Sequence, residues 1–426
     1  MPTLIRVLRH LLAGATLLTV LTVLADPVQA RTLRQVIAFG PTALDPVYST
    51  TSGDASVHVN LFEGLARYGA DGQVQAAQAQ DWTVSADGLA WTFRLRPALR
   101  WNDGRPLTSA DFVAGFRRLA SAAHREHPKA GFLLEPIRGG REVMVGEQPL
   151  EALGIEAPDD RTVVIHLDSV TPFLPSMLTH PALSPVPRHV LAQYGAAWTD
   201  PAHFVSNGPY RLDGYAHGVW SMSQNPFHHG SVRPQATRVE LIERGNGNQA
   251  LQELLTGKVD IVHAPPTEQL EWLKARQSIR IVSTGATVSN YLALNTADPR
   301  LADPRVRQAL SMALDRREIM ARLSLPVSSV AYSFAVASEP AGWQPIAPPW
   351  ARWTMERRRE RARELMREAG YGPGRRLAFG IRLNLGQPNI GLAGAARSMW
   401  HNIYVDAVLE DPETGSAHYR RLADGR

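Results

Sequence analysis

Gly245-Asn246-Gly247-Asn248-Gln249-Ala250 has the spacing G-x-G-x-x-A. In a dinucleotide fold those glycines let a pyrophosphate approach a helix N-terminus. Here the helix that follows is short, Asp260 comes too early for the ribose, and no second mononucleotide half follows. The stretch therefore reads as a polar turn between a strand and a helix. His124-x-x-His127 and His228-His229 have metal-ligand chemistry, but zinc normally takes a third protein ligand with fixed outer partners. No such set stands out among the 14 histidines, so they read as solvated surface residues, and no metal is expected. The chain has no G-x-S-x-G elbow, no H-E-x-x-H and no P-loop. With no cysteine it has no disulfide, thiolate metal site, cysteine nucleophile or lipidated cysteine anchor. Arg357-Arg358-Arg359, with Arg361 and Arg363, alternates with Glu356, Glu360, Glu364 and Glu368, which reads as a solvated helix face. No cofactor is expected.

The elements that would position these residues belong to an ordinary globular chain. It has 426 residues, 44% hydrophobic and 20% charged, enough for two or three domains. The net charge is +5, and the only lysines are Lys129, Lys258 and Lys274. No basic stripe interleaves with aromatics, so nucleic-acid binding is excluded as a reading. Arg6, Arg9 and His10 precede an apolar run from Leu11 to Leu24, and Val28-Gln29-Ala30 fits a cleavage site before Arg31. That is the layout of a cleavable signal peptide over residues 1–30 and implies an exported product.

Thr32–Phe39 reads as a first strand and Val57–Leu65 as a helix. Trp91, Phe93 and Leu95 alternate with polar residues, a half-buried strand. Asn102-Asp103-Gly104 signals a turn, and Thr108 caps a helix over Ala110–Leu119. Further strands are expected at Arg161–Leu167, Thr237–Ile242, Val259–Val262 and Tyr291–Leu294. Further helices are expected at Gln249–Leu255, Pro304–Leu323 and Met355–Ala369, the last stopped by Gly370. Pro181–Pro187 reads as a crossing between domains and Val327–Pro349 as a long loop. Strands and helices interleave without strict alternation, which predicts a mixed α/β protein of several domains.

Asn60-Leu61-Phe62-Glu63-Gly64-Leu65, Trp101-Asn102-Asp103-Gly104-Arg105-Pro106-Leu107-Thr108 and Ser206-Asn207-Gly208-Pro209-Tyr210 occur in that order. Leu254–Ile261, Asp303-Pro304-Arg305-Val306-Arg307 and Ala313-Leu314-Asp315-Arg316 follow them. This series, over about residues 32 to 410, resembles the extracellular solute-binding proteins of the peptide/nickel class, and its oligopeptide-binding branch in particular. The resemblance implies an α/β, two-lobed periplasmic-binding-protein fold of class II-like type with an extra inserted domain. Residues 31–62 with 182–285 would form domain I, residues 63–181 domain II, and residues 286–426 an incomplete domain III. It implies a monomer, not an enzyme, that binds short peptides between its lobes and delivers them to an ABC transporter permease. Thr50, Thr51, Ser52 and Gly53 match a segment that lines the peptide, where small residues allow a backbone to approach. His263 and Tyr291 match pocket-lining positions; ordinary loop and core roles remain open for both. Family members normally run on for about a hundred residues, the size of a small domain. That part would carry the aspartate opposite the ligand's α-ammonium, so weak or no peptide binding by this chain is also expected. The alternatives are a relative that takes nickel chelates, haem or oligosaccharides, as some do, and a truncated remnant of such a receptor with weak or no ligand binding and no transport activity, or with a sensing or scaffolding role.

Overall fold

A computed structural model describes residues 31–41, 43–49, 51–121, 130–230, 234–263, 265–266, 269–282, 290–323, 330–333, 346–383 and 387–411. The expected leader, Thr50 and the His124/His127 pair lie outside them. The chain divides into two units, one up to Pro265 and one from Pro266.

In the first unit, β1 (Thr32–Ile37) leads to helix α1 (Ser52–Leu61). The helix starts five residues before the expected Val57. The cause is a capping box: Asp54 N donates to Thr51 Oγ1 at 3.1 Å and Thr51 N to Asp54 Oδ2 at 2.8 Å. Strands β2 (Ala66–Tyr68) and β3 (Val74–Ala76) form a hairpin turned at Gly72, φ +75°. Strands β4 (Ala79–Val84), β5 (Ala90–Leu95), β6 (Ile155–Asp159) and β7 (Thr162–His166) form an antiparallel sheet in the order β4-β5-β7-β6. Trp91, Phe93 and Leu95 point into its core as their alternation predicts. Helix α2 (Ser109–Ala120) packs on β6 and β7, capped by Thr108 and Asp111 and burying Phe112 and Phe116.

The same unit holds a second sheet. Strands β8 (Tyr210–Ala216), β9 (Val219–Gln224) and β10 (Arg238–Glu243) precede helix α3 (Gly247–Leu255) and strand β11 (Ile261–Val262). Their order is β11-β1-β10-β9-β8, with β1 parallel to both β10 and β11. The first strand of the chain therefore lies inside a sheet completed more than 200 residues later. One apolar core runs from Ile37 and Leu241 of this sheet to Phe93 and Ile165 of the other. Trp101, Trp198 and Phe116 are fully buried in it.

The second unit carries helices α4 (Pro304–Ala313), α5 (Arg316–Arg322) and α6 (Met355–Glu368), then β12 (Leu377–Ile381), α7 (Gln387–His401) and β13 (Val405–Leu409). β12 and β13 pair in parallel, and α7 supplies the crossover such a pair needs. The single helix expected over Pro304–Leu323 is broken at Leu314. Asp315 caps the second piece by accepting from Arg317 N and Glu318 N at 3.2 and 3.1 Å. Tyr291–Leu294 carries no strand. Its alternation has another cause: Leu292 and Leu294 pack onto this unit's core while Tyr291 stays exposed.

The basic face of α6 is only partly solvated. Arg361 bridges Glu364 and Glu368 at the surface, as charge alternation predicts. Arg358, however, is only 5% exposed, with its guanidinium 5.9 Å from the ring centre of Tyr332. Arg316 lies over the same ring at 4.8 Å. Among the described residues no helix is long and apolar enough to cross a membrane.

Candidate ligand-binding edge of the first unit

The carboxyl ends of parallel strands are where open α/β sheets bind ligands, because the chain leaves a crevice there. β1, β10 and β11 end together at such an edge. After β1, Phe39 is 46% exposed. At Gly40 a Cβ would stand 2.1 Å from Glu243 Oε1 and 2.8 Å from Trp220 Nε1. Glycine there lets the end of β1 touch the end of β10 and the hairpin of β8 and β9. Trp220 Nε1 donates to Glu243 Oε1 at 2.8 Å, and its ring stacks on its cross-strand neighbour Tyr215 at 4.3 Å.

Thr51, Ser52 and Gly53 open α1 at this edge. Thr51 is committed to the capping box, and the Ser52 residue is exposed. A Cβ on Gly53 would come within 2.6 Å of Phe39 O and 2.7 Å of Gly40 O. Its small size thus serves the chain's own backbone, which seats the first turn of α1 on the end of β1. His263 follows β11 and is exposed; the Gln35 amide donates to its Nε2 at 2.8 Å. The structure places Thr51–Gly53 and His263 at one edge of one sheet. Tyr291 belongs to the second unit, 58% exposed. Phe39, Tyr215, Trp220 and Glu243 escape the sequence reading. The hairpin offered a signal: Tyr215 and Trp220 flank Gly218 at a spacing that pairs them across strands. Together these groups present hydrogen-bond donors and acceptors beside aromatic faces, the means of holding a small polar ligand.

The histidines at 228 and 229 are not solvated, contrary to the expectation above. The Asn225 side chain accepts from Phe227 N and donates to Gly208 O, which fixes the turn carrying both imidazoles. Gly208 in turn lies against the backbone of residues 60–62, where a Cβ would come within 2.5 Å of Leu61 C. Asn207 clamps the Glu63 main chain, accepting from its N–H at 3.1 Å and donating to its carbonyl at 2.8 Å. This brings His229 Nε2 to 2.5 Å and His228 Nε2 to 3.3 Å from Glu63 Oε2. Gln78 Nε2 donates to the same oxygen at 2.8 Å. Burial pushes the Glu63 carboxyl up, but the imidazoles of His228 and His229 outweigh it and bring it down to about 2. The third partner was invisible in sequence because 166 positions separate Glu63 from His229.

Residues 73–415 match the bacterial extracellular solute-binding proteins, family 5. The chain belongs to that family. Among its relatives, the periplasmic oligopeptide-binding protein OppA of Salmonella typhimurium is 29% identical over 375 residues, 87% of this chain and 68% of that protein. The Escherichia coli protein YgiS, named as a probable deoxycholate-binding periplasmic protein, is 30% identical over 362 residues, 84% and 67%. Two solved structures agree over 93% of this chain and 78% of theirs. The E. coli murein tripeptide binding protein MppA has TM-score 0.83 at 27% identity, and Haemophilus influenzae OppA in complex with RPPGFSPFR has 0.79 at 26%. This family 5 protein is of the oligopeptide type, and the mixed α/β periplasmic-binding fold expected of it is the one these structures share.

Proposed function

We propose that this family 5 chain is the periplasmic solute-binding component of an ABC importer. It takes short peptides and delivers them to an inner-membrane permease, and it binds without transforming them. The observation that supports this most is the likeness, at TM-score 0.79, to an OppA holding a nine-residue peptide. Peptides of varied sequence are held through main-chain hydrogen bonds, with side chains left to roomy pockets. Thr50, Thr51, Ser52, Gly53 and His263, with Tyr291 in the second unit, are the proposed contacts. Phe39, Trp220 and Glu243 join them on the geometry above. The domain limits given above, export through a leader at residues 1–30 and a monomeric state belong to the same proposal.

A second reading rests on YgiS: the aromatic faces of Phe39, Tyr215 and Trp220 also suit a steroid acid. Calorimetry of the purified protein with a mixed di- to pentapeptide library, and separately with deoxycholate, decides between them. Saturable heat with peptides is the expected result. Binding of deoxycholate alone moves the protein to the second reading, and no binding of either overturns the first.

A further inference from the structure

We propose that Glu63, His228 and His229 form a binding site for one first-row divalent metal ion of the zinc class, within the first unit and independent of any transported solute. The three residues each bring a ligand atom within 4.8 Å of the others. Two imidazoles and one carboxylate are the donor set that suits such ions, and a fourth position is left for water.

Three features make this a built site and not a chance meeting of side chains. The first is burial: Glu63 is 7% exposed, and the His228 and His229 side chains are 8% and 12% exposed. The second is unmet valence. His228 Nε2 faces Glu63 at 3.3 Å without hydrogen-bond geometry and is buried without a partner among the described residues. Such orphaned polar atoms are rare and ask for an explanation. The third is an outer layer. Gln78 orients the carboxylate, Asn207 fixes the Glu63 backbone, and Asn225 holds the turn of the histidines. Metal sites depend on outer partners of this kind.

Occupation requires small movements. The Glu63–His228 separation of 3.3 Å already suits two ligands on one ion with bonds of about 2.0–2.2 Å. The Glu63–His229 pair, at 2.5 Å, opens to admit it. In each ring the proton facing Glu63 moves from Nε2 to Nδ1, so the long 3.3 Å bond from Gly230 N to His228 Nδ1 is given up. The bound ion would join the end of α1 to the turn after β9, two segments far apart in the chain.

The test uses the full chain without an affinity tag, stripped with chelator, in calorimetry with Zn²⁺ and no peptide. One ion per chain is expected, with a dissociation constant of about 10 μM or tighter. His228→Gln and His229→Gln should each weaken binding at least about tenfold, and Gln78→Leu about 10–100-fold, while His203→Gln leaves it unchanged. Co²⁺ in place of Zn²⁺ should show ligand-field absorption that disappears in His229→Gln. Because Glu63→Gln could impair folding, the two histidine variants, checked by circular dichroism, carry the decision. Failure to saturate by about 1 mM overturns the proposal, as does binding that survives both histidine substitutions. Neither result bears on whether peptides bind.

Discussion

A carboxylate taken out of water must find donors nearby, and Asp45 finds four, on three residues. Arg118 reaches its Oδ2 with two nitrogens, at 2.9 and 2.5 Å, Trp198 Nε1 reaches the same oxygen at 3.3 Å, and Val47 N caps the other. Removing one member of such a buried pair strands the other. Asp45→Asn should therefore lower the unfolding free energy by about 3 kcal/mol, read from the urea midpoint. Asp45→Asn with Arg118→Met should cost less than the two single changes added together. His58 obeys the opposite rule. Burial holds its pKa below 6.5, outweighing the pull of the Ala43 carbonyl, Asp54 and Asp45 toward the charged form. His180 is shifted the same way, by burial and by His58. The sign follows: below about pH 6.5 the unfolded chain takes up these protons and the folded chain does not. Stability should fall as pH drops from 6.5 toward the lower folded values, by about 1.4 kcal/mol per pH unit for each such histidine. Denaturant titrations at pH 7 and pH 5.5 should show His58→Gln losing part of that slope. A variant slope equal to the native one would refute the assignment.

Elements differ in how much of their origin is local. α2 is legible because Thr108, Asp111 and the Phe112/Phe116 stripe lie within nine residues. α1 is harder to read, because its buried positions are Gly53, Asp54 and His58 as well as Val57 and Leu61, so no apolar stripe marks its first turn. α4 and α5 read as one helix because Asp315 looks like any polar residue until its side chain turns back to cap. The Glu63 cluster and the edge formed by Gly40, Trp220 and Glu243 depend on chain segments brought together by the sheet, and no window of sequence contains them. The packing at Gly53 gives an element-scale prediction. Gly53→Ala pushes a methyl group into the carbonyls of Phe39 and Gly40, so it should destabilise by about 1–3 kcal/mol. Ser52→Ala, one residue earlier and exposed, should change stability by less than about 0.5 kcal/mol. Equal midpoints for the two variants would mean that α1 does not rest on the end of β1.

For the whole molecule, a bound ligand is a source of stability that its absence removes. If peptides are the solute, a peptide at 100 times its dissociation constant should add about 2.7 kcal/mol to the unfolding free energy. Trp220→Ala should lose most of that gain at the same peptide concentration, measured against the variant's own ligand-free midpoint. A full gain in the variant would remove Trp220 from the site.

The position of β1 also sets a clock. Its neighbours are β10 and β11, so Thr32–Ile37 has no partner strand until Glu243, the end of β10, has been made. At about 5–20 residues per second of synthesis, the intervening stretch takes about 10–40 s. During that interval the start of the chain is an unsatisfied strand, and the sheet at the proposed site cannot close. Under the export proposed above, such a delay would keep the chain unfolded for passage through a membrane. The same delay leaves β1 open to wrong partners between its emergence and that of β10.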